Sequence, residues 1–340
     1  MDDVEYGALR PQSRQVIALS IDYLLKTIDV VTRSIDGELV TAVVYLAISQ
    51  ANLRSVLGRP DQPLRYAAFD ANPDDTVRQP VSVLAIAREL DLPYETTRRH
   101  VGKLQARGLC QRVDDGGVMI PDGVSSRGNA EQAMNEICAL TYRYIADLAA
   151  IGVTAPARRN AAAPDLRRIA SREAAYYVLN LMKLARMTVG LNLTTAVLLL
   201  GIIRANALHL LDDEERRKAH ADGAFGLDVI VPDDLRRPIT TYALAGQIDM
   251  PYETARRQVG WLVDAGFCER RGKGLIVPAR ALVRPELLES IRLNWDETLR
   301  FLSVMGRLGI GPAQARKGLA QARRSLAPRE APQALPDAEA

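Results

Sequence analysis

The sequence predicts a mainly α protein that uses one architecture twice. Each copy is a helical bundle closed by a compact helical hairpin and a small β-hairpin, and the two copies form an intramolecular pseudo-dimer. Three observations predict it. First, Pro93-Tyr94-Glu95-Thr96-Thr97-Arg98-Arg99-His100-Val101-Gly102 returns as Pro251-Tyr252-Glu253-Thr254-Ala255-Arg256-Arg257-Gln258-Val259-Gly260 at an offset of 158, and 12 of 21 residues agree between 93–113 and 251–271. Second, apolar residues recur at helical spacing through 14–35, 38–57, 170–189 and 192–211. Third, a glycine tip flanked by strand-forming residues follows each repeated run.

Composition sets the outer limits. A chain of 340 residues suits two domains of roughly 100–200 residues each. With 48% apolar residues it is no disordered, collagenous or disulfide-stapled chain. Three cysteines, an odd number, and the acidic start Met1-Asp2-Asp3-Val4-Glu5 point to a cytoplasmic location. The most apolar stretch, Leu193 to Ile203, stops at Arg204, short of the ~20 residues a membrane span needs, so no membrane association is expected. The net charge of +3 is too small for a general polycation, and any nucleic-acid affinity must come from local patches.

Taken in order, residues 1–155 form the first repeat. Its two opening helices carry Thr41-Ala42-Val43 and Ala51-Asn52, echoed by Thr195-Ala196-Val197 and Ala205-Asn206 in the second repeat, 170–311. The segments 60–79 and 212–237, with their Pro, Asp and Gly, read as connections. The helical hairpin then buries Ile86, Ala87, Leu90 and Leu92 against Thr97, Val101, Leu104 and Leu109. Its counterpart uses Leu244, Ala245, Ile248, Met250, Ala255, Val259, Leu262 and Phe267. Asp91 and Asp249 make the turn, because Asp tolerates the left-handed conformation. Pro93 and Pro251 are expected at the first helical position. A strand, a glycine tip and a strand follow, then a closing helix near 128–151 or 285–308. Residues 156–169, rich in Pro and Ala, read as a linker, and 312–340, rich in Ala, Arg and Pro, as a tail that is largely disordered or weakly helical.

The run Leu-Pro-x-x-Thr-x-x-Arg-x-x-x-x-Leu-x-x-x-Gly-Leu at 92–109 resembles the winged helix-turn-helix of bacterial transcription regulators, with features like the IclR and MarR families. The resemblance covers segments near 80–121 and 238–278 and does not extend to the flanking helices. It implies that the second helix of each hairpin lies in the major groove of double-stranded DNA, with the β-hairpin as the wing beside it.

The residue pattern then nominates the contacts. Turning by about 100° per residue, Thr97, Val101 and Leu104 face the core. Glu95, Arg98, Arg99 and Gly102 lie opposite, with Lys103 at the margin, and the second copy presents Glu253, Arg256, Arg257, Gly260 and Trp261. Paired arginines suit guanine or phosphate. A solvated charged face is the plain alternative for one such pair, but the same pair in a second copy favours DNA. Mid-helix glycine on an exposed face points either to a DNA backbone or to another protein helix in close approach. Thr96, Thr254, Tyr94 and Tyr252 stand in the first turn, where they either meet phosphate or serve local capping and packing. Glu95 and Glu253 either accept from cytosine or hold an arginine in place. At the wings, the first copy offers Arg112 beside Asp114 and Asp115, and the second offers Arg270, Arg271 and Lys273, so the copies are not equivalent on DNA.

Catalytic signatures are absent from the sequence. His100, His209 and His220 are scattered, Cys110, Cys138 and Cys268 read as small core residues, and no metal-ligand spacing, phosphate-binding glycine loop, nucleophile elbow or zincin motif occurs. The expectation is therefore no enzyme, no cofactor and no metal. The function expected is a sequence-specific double-stranded DNA-binding transcription regulator with two recognition helices. Two alternatives are a replication-initiator-like tandem winged-helix protein and a winged-helix protein-interaction scaffold. A small-molecule effector, a protein partner and pairing of two chains as a homodimer stay open.

Overall fold

Eleven α-helices and two short antiparallel strand pairs make up the computed structural model, which describes residues 9–10, 12–57, 65–113, 116–126, 128–157, 165–211 and 230–326. Asp114 and Asp115, the middle of the linker at 158–164, the connection at 212–229 and the tail at 327–340 lie outside the described residues. The protein is mainly helical. The order is α1 (Ser13–Ser34), α2 (Leu39–Leu57), α3 (Val83–Leu90), α4 (Tyr94–Ala106), β1 (Gln111–Arg112), β2 (Val118–Met119) and α5 (Gly128–Ala150). There follow α6 (Arg167–Val189), α7 (Leu193–Leu211), α8 (Thr241–Gln247), α9 (Tyr252–Asp264), β3 (Glu269–Arg271), β4 (Gly274–Ile276), α10 (Pro285–Arg307) and α11 (Pro312–Leu326). Single turns of 3-10 helix at Asp75–Val77 and Asp233–Leu235 precede α3 and α8.

Local chemistry starts and stops the short helices. The Ser82 hydroxyl accepts from the Ala85 N–H at 3.1 Å and the Thr240 hydroxyl from the Ala243 N–H at 3.1 Å, satisfying donors that a helix start leaves open. After each helix comes an aspartate in the left-handed region, Asp91 at φ 49° and Asp249 at φ 48°. The chain then turns back, and Leu92 and Met250 donate to Ala87 and Ala245, each at 2.9 Å. Pro93 and Pro251 fall one position earlier than the sequence predicts, at the N-cap. Their extended ψ values of 138° and 130° leave the carbonyl to accept the first helical bond, from Thr97 and Ala255.

One helix supports each compact unit. α2 packs on α3, α4 and β2, and α7 packs on α8, α9 and β4. The tie is a buried asparagine in a mostly apolar helix. Asn52 Nδ2 donates to the carbonyls of Gln79 (2.7 Å) and Val118 (3.1 Å), and its Oδ1 accepts from the Ile120 N–H (2.9 Å). Asn206 does the same with Arg237 (2.8 Å), Leu275 (3.1 Å) and Val277 (2.9 Å). One side chain thus pairs three backbone groups; the carbonyls of Val118 and Leu275 also accept from Val81 and Ile239, and leaving either of the other two unpaired would cost about 1–3 kcal/mol.

In the middle of the molecule the helices of 14–57 and 170–211 meet, α1 on α6 and α7 and α2 on α6, and the closing helices join them: α5 packs on α1 and α6, and α10 on α6 and α1. These helices bury Tyr23, Tyr144, Tyr177 and Phe301 as one ring cluster. Tyr23 stacks on Tyr144 at 4.6 Å and Tyr177 on Phe301 at 4.5 Å. Both amphipathic faces needed cover, and one face of a helix does not name its partner. Part of the tail takes the helical one of its two expected forms. Residues 312–326 form α11, packed on α5 with Ala315 buried and Gly318 over the Tyr142 ring, where a Cβ would come within 2.4 Å of the ring edge. Its polar composition hid a stripe of small residues that lets two helices approach closely. Among the described residues no single helix is long and apolar enough to cross a membrane.

Candidate nucleic-acid interface

The faces of α4 and α9 divide as their spacing predicts. Thr97, His100, Val101 and Leu104 are buried in α4, and Ala255, Val259 and Leu262 in α9. Glu95, Arg98, Arg99 and Gly102 are exposed on the far side, as are Glu253, Arg256 and Arg257, with Gly260 partly so. His100 adds a buried polar contact, its Nδ1 2.9 Å from the Thr41 hydroxyl. In the matching place Thr195 donates to the Gln258 side-chain oxygen.

Glutamate and arginine are coupled identically in the two helices. Arg98 Nε donates to Glu95 at 2.8 Å, and Arg256 Nε donates to Glu253 at 2.9 Å. Of the two roles open to these glutamates, the geometry shows the positioning one. The carboxylate occupies Nε, and the terminal amines of each guanidinium have no hydrogen-bond partner among the described residues, a fork suited to two acceptors on one base edge or phosphate. Arg99 and Arg257 carry no ion pair among the described residues, so their forks are also available. No backbone or side-chain atom meets a Cβ built on Gly102 or Gly260 within 4 Å, so packing inside this chain does not demand either glycine.

The first turns expose apolar surface as well. Tyr94 and Tyr252 are half exposed and Thr96 and Thr254 are partly buried beside them. The Tyr252 ring stands 6.4 Å from Tyr242, a residue 79% exposed that the sequence pattern did not single out; Leu84 holds the matching place in α3.

Two nominated residues turn away from the face. Lys103 pairs with Glu38, the residue before α2, so its charge is neutralised inside the chain. That partner is 65 positions away and carries no helical spacing to betray it. Trp261, in the same place of α9, stacks on Phe267 at 6.2 Å, with the Arg284 guanidinium 4.2 Å over the Phe267 ring. About half of the indole remains exposed, at the margin of the face.

Each hairpin is held beside its tip by one proline–glycine contact. Val81 bridges to Val118 and Ile239 to Leu275, and a Cβ on Gly117 or Gly274 would lie 2.6 or 2.5 Å from the Cβ of Pro80 or Pro238. Arg112 is exposed on β1. Arg270, Arg271 and Lys273 are exposed on the second hairpin, but Arg271 donates to the Asp233 carbonyl and sits 3.6 Å from Glu269. Arg270 and Lys273 are the cations left to face outward.

The cysteines take no part in this surface. Burial pushes the thiols of Cys110 and Cys268 up to about 11 and that of Cys138 up to about 12, so all three are protonated packing groups. No protein-family model, curated protein or solved structure matches this chain.

Proposed function

We propose that this chain is a sequence-specific double-stranded DNA-binding transcription regulator that acts in the cytoplasm by binding rather than by catalysis. In this reading 80–121 and 238–278 are winged helix-turn-helix units of two tandem copies related by a pseudo-twofold axis, and α4 and α9 are their recognition helices. One observation carries it: two separate helices, each second in a helical hairpin, hold a glutamate-braced arginine and a free arginine on the same outward face. A solvated helix face has no need of the same brace twice. A protein-interaction scaffold would be expected to have lost these cations, and neither copy has.

The test is selection of bound fragments from genomic DNA, followed by titration of variants on the selected site. Replacing Arg98 and Arg99, or Arg256 and Arg257, by alanine should weaken binding roughly tenfold or more while leaving the melting temperature unchanged. Undiminished binding by both folded double variants would overturn the proposal.

A further inference from the structure

Away from the helix faces, three arginines are sealed into one contact between the halves of the molecule. Arg78 is 6% exposed, Arg168 3% and Arg172 7%. Arg78 comes from the approach to α3, and Arg168 and Arg172 come from α6. Arg78 Nη2 and Arg168 Nη1 donate to the same atom, Asn72 Oδ1, at 2.9 and 3.0 Å. Arg168 otherwise binds the carbonyls of Ala68 and Phe69, and Arg172 Nη1 reaches the Tyr66 carbonyl at 3.3 Å. Arg172 Nη2 is buried and has no hydrogen-bond partner among the described residues. Asp75 stands 3.5 Å from Arg78, whereas no carboxylate pairs with Arg168 or Arg172 among the described residues. Asp165, the nearest acid before α6, is taken by Arg167.

Charge this deeply buried, offset only through space by Asp70 and Asp165 at Arg168 and by Glu173 at Arg172, is costly unless something pairs it. Burial, then mutual repulsion, pushes Arg168 down to about 10 and Arg172 down to about 9. The fold itself does not call for all three. Arg78 has a counterpart in Arg236, likewise buried and paired with Asp233 at 3.2 Å as Arg78 is with Asp75, so that position belongs to both halves. At the offset of 154 that matches α1 to α6, Arg168 corresponds to Arg14, but Arg172 corresponds to Ala18. A small apolar residue therefore serves where the same helix position needs only packing.

We propose that Arg78, Arg168 and Arg172 form a binding site for a small oxyanion, either inorganic phosphate or the phosphate or carboxylate head of a small molecule. Guanidinium forks suit both head groups, and Arg172 Nη2 is the donor left over for them. The placement gives the site a consequence. Arg78 lies just before Pro80 and Val81, which hold the first hairpin, while Arg168 and Arg172 belong to the other half. An anion here ties the hairpin of one half to a central helix of the other.

The experiment melts the full chain in phosphate, in succinate and in chloride at matched ionic strength, and so needs no DNA. The wild type should gain roughly 3 °C or more, saturably, in at least one of the two oxyanions over chloride, and the better one identifies the head group. Arg172→Met should lose that gain yet melt in chloride at or above the wild type, since it removes an unpaired buried charge. Arg270→Ala/Lys273→Ala, which strips exposed cations, should keep the gain. No oxyanion-specific gain in the wild type, or an undiminished gain in Arg172→Met, would overturn the proposal. Should Arg172→Met fail to fold, calorimetric titration of the wild type and of the hairpin variant decides: one anion per chain in both supports the site, and none refutes it.

Discussion

Gly102 and Gly260 interrupt two helices at exposed positions with open space where a side chain would stand. Alanine there should raise helix stability by up to about 1 kcal/mol, because glycine gives up more backbone freedom on folding. If DNA backbone fills that space, the same methyl should weaken DNA binding. Gly102→Ala and Gly260→Ala are therefore expected to melt higher and bind less tightly, and unchanged affinity would assign the space to solvent. His100 makes a second point at this scale. Burial pushes its imidazole from 6.5 down to about 4, against a smaller upward pull from Glu38. The unfolded chain then binds the extra proton between those values, so stability is present above about 6.5 and is lost as pH falls towards 4. His100→Gln, which copies the residue at 258, should make the acid-side fall in the urea midpoint shallower. An identical pH profile would remove His100 from the account.

The hairpins are where the two matching units part. Between 270 and 274 the second carries three cations and no carboxylate. The described geometry narrows that advantage, because Arg271 is tied to the Asp233 carbonyl while Arg270 and Lys273 are not. Binding to phosphates releases counterions roughly in proportion to the cations engaged. Neutralising Arg270 and Lys273 together should flatten the salt dependence of DNA binding by up to about two units of slope, and Arg271 or Arg112 alone by no more than about one. Equal changes from Arg112 and from the Arg270/Lys273 pair would show that the units engage phosphate alike. The shared anchor makes the comparison clean: Pro80 on Gly117 and Pro238 on Gly274 hold both hairpins by the same contact beside the tip, so charge is the main difference between them.

At the level of the whole molecule, the halves share a core. Tyr144 and Tyr177 are hydrogen-bonded at 2.7 Å, Tyr177 reaches Thr298 at 2.7 Å, and Ser20 reaches Tyr144 at 2.7 Å. An ion pair of 2.7 Å from Arg204 to Asp22 joins α7 to α1, and Gln50 on α2 donates to the Arg172 carbonyl at 2.9 Å. Separating the halves would wet the ring cluster and strand these hydroxyls. Calorimetry should accordingly record one cooperative transition, with the calorimetric and van't Hoff enthalpies in agreement. Two resolved transitions would mean that each half holds its core alone.

By itself the sequence determined the helices, the aspartate turns, and the outward side of α4 and α9, because those follow from spacing within a few residues of chain. Self-similarity also marked Asn52 and Asn206, though not the three backbone groups that each one holds. Tertiary structure alone decided which partner covers an apolar face and which charge is free. It placed α5 and α10 at the centre, docked α11 on α5, turned Lys103 to Glu38 and Arg271 to Asp233, and gathered Arg78 with Arg168 and Arg172. Periodicity records that a side chain is buried or exposed, whereas pairing depends on groups that the fold brings together from far along the chain.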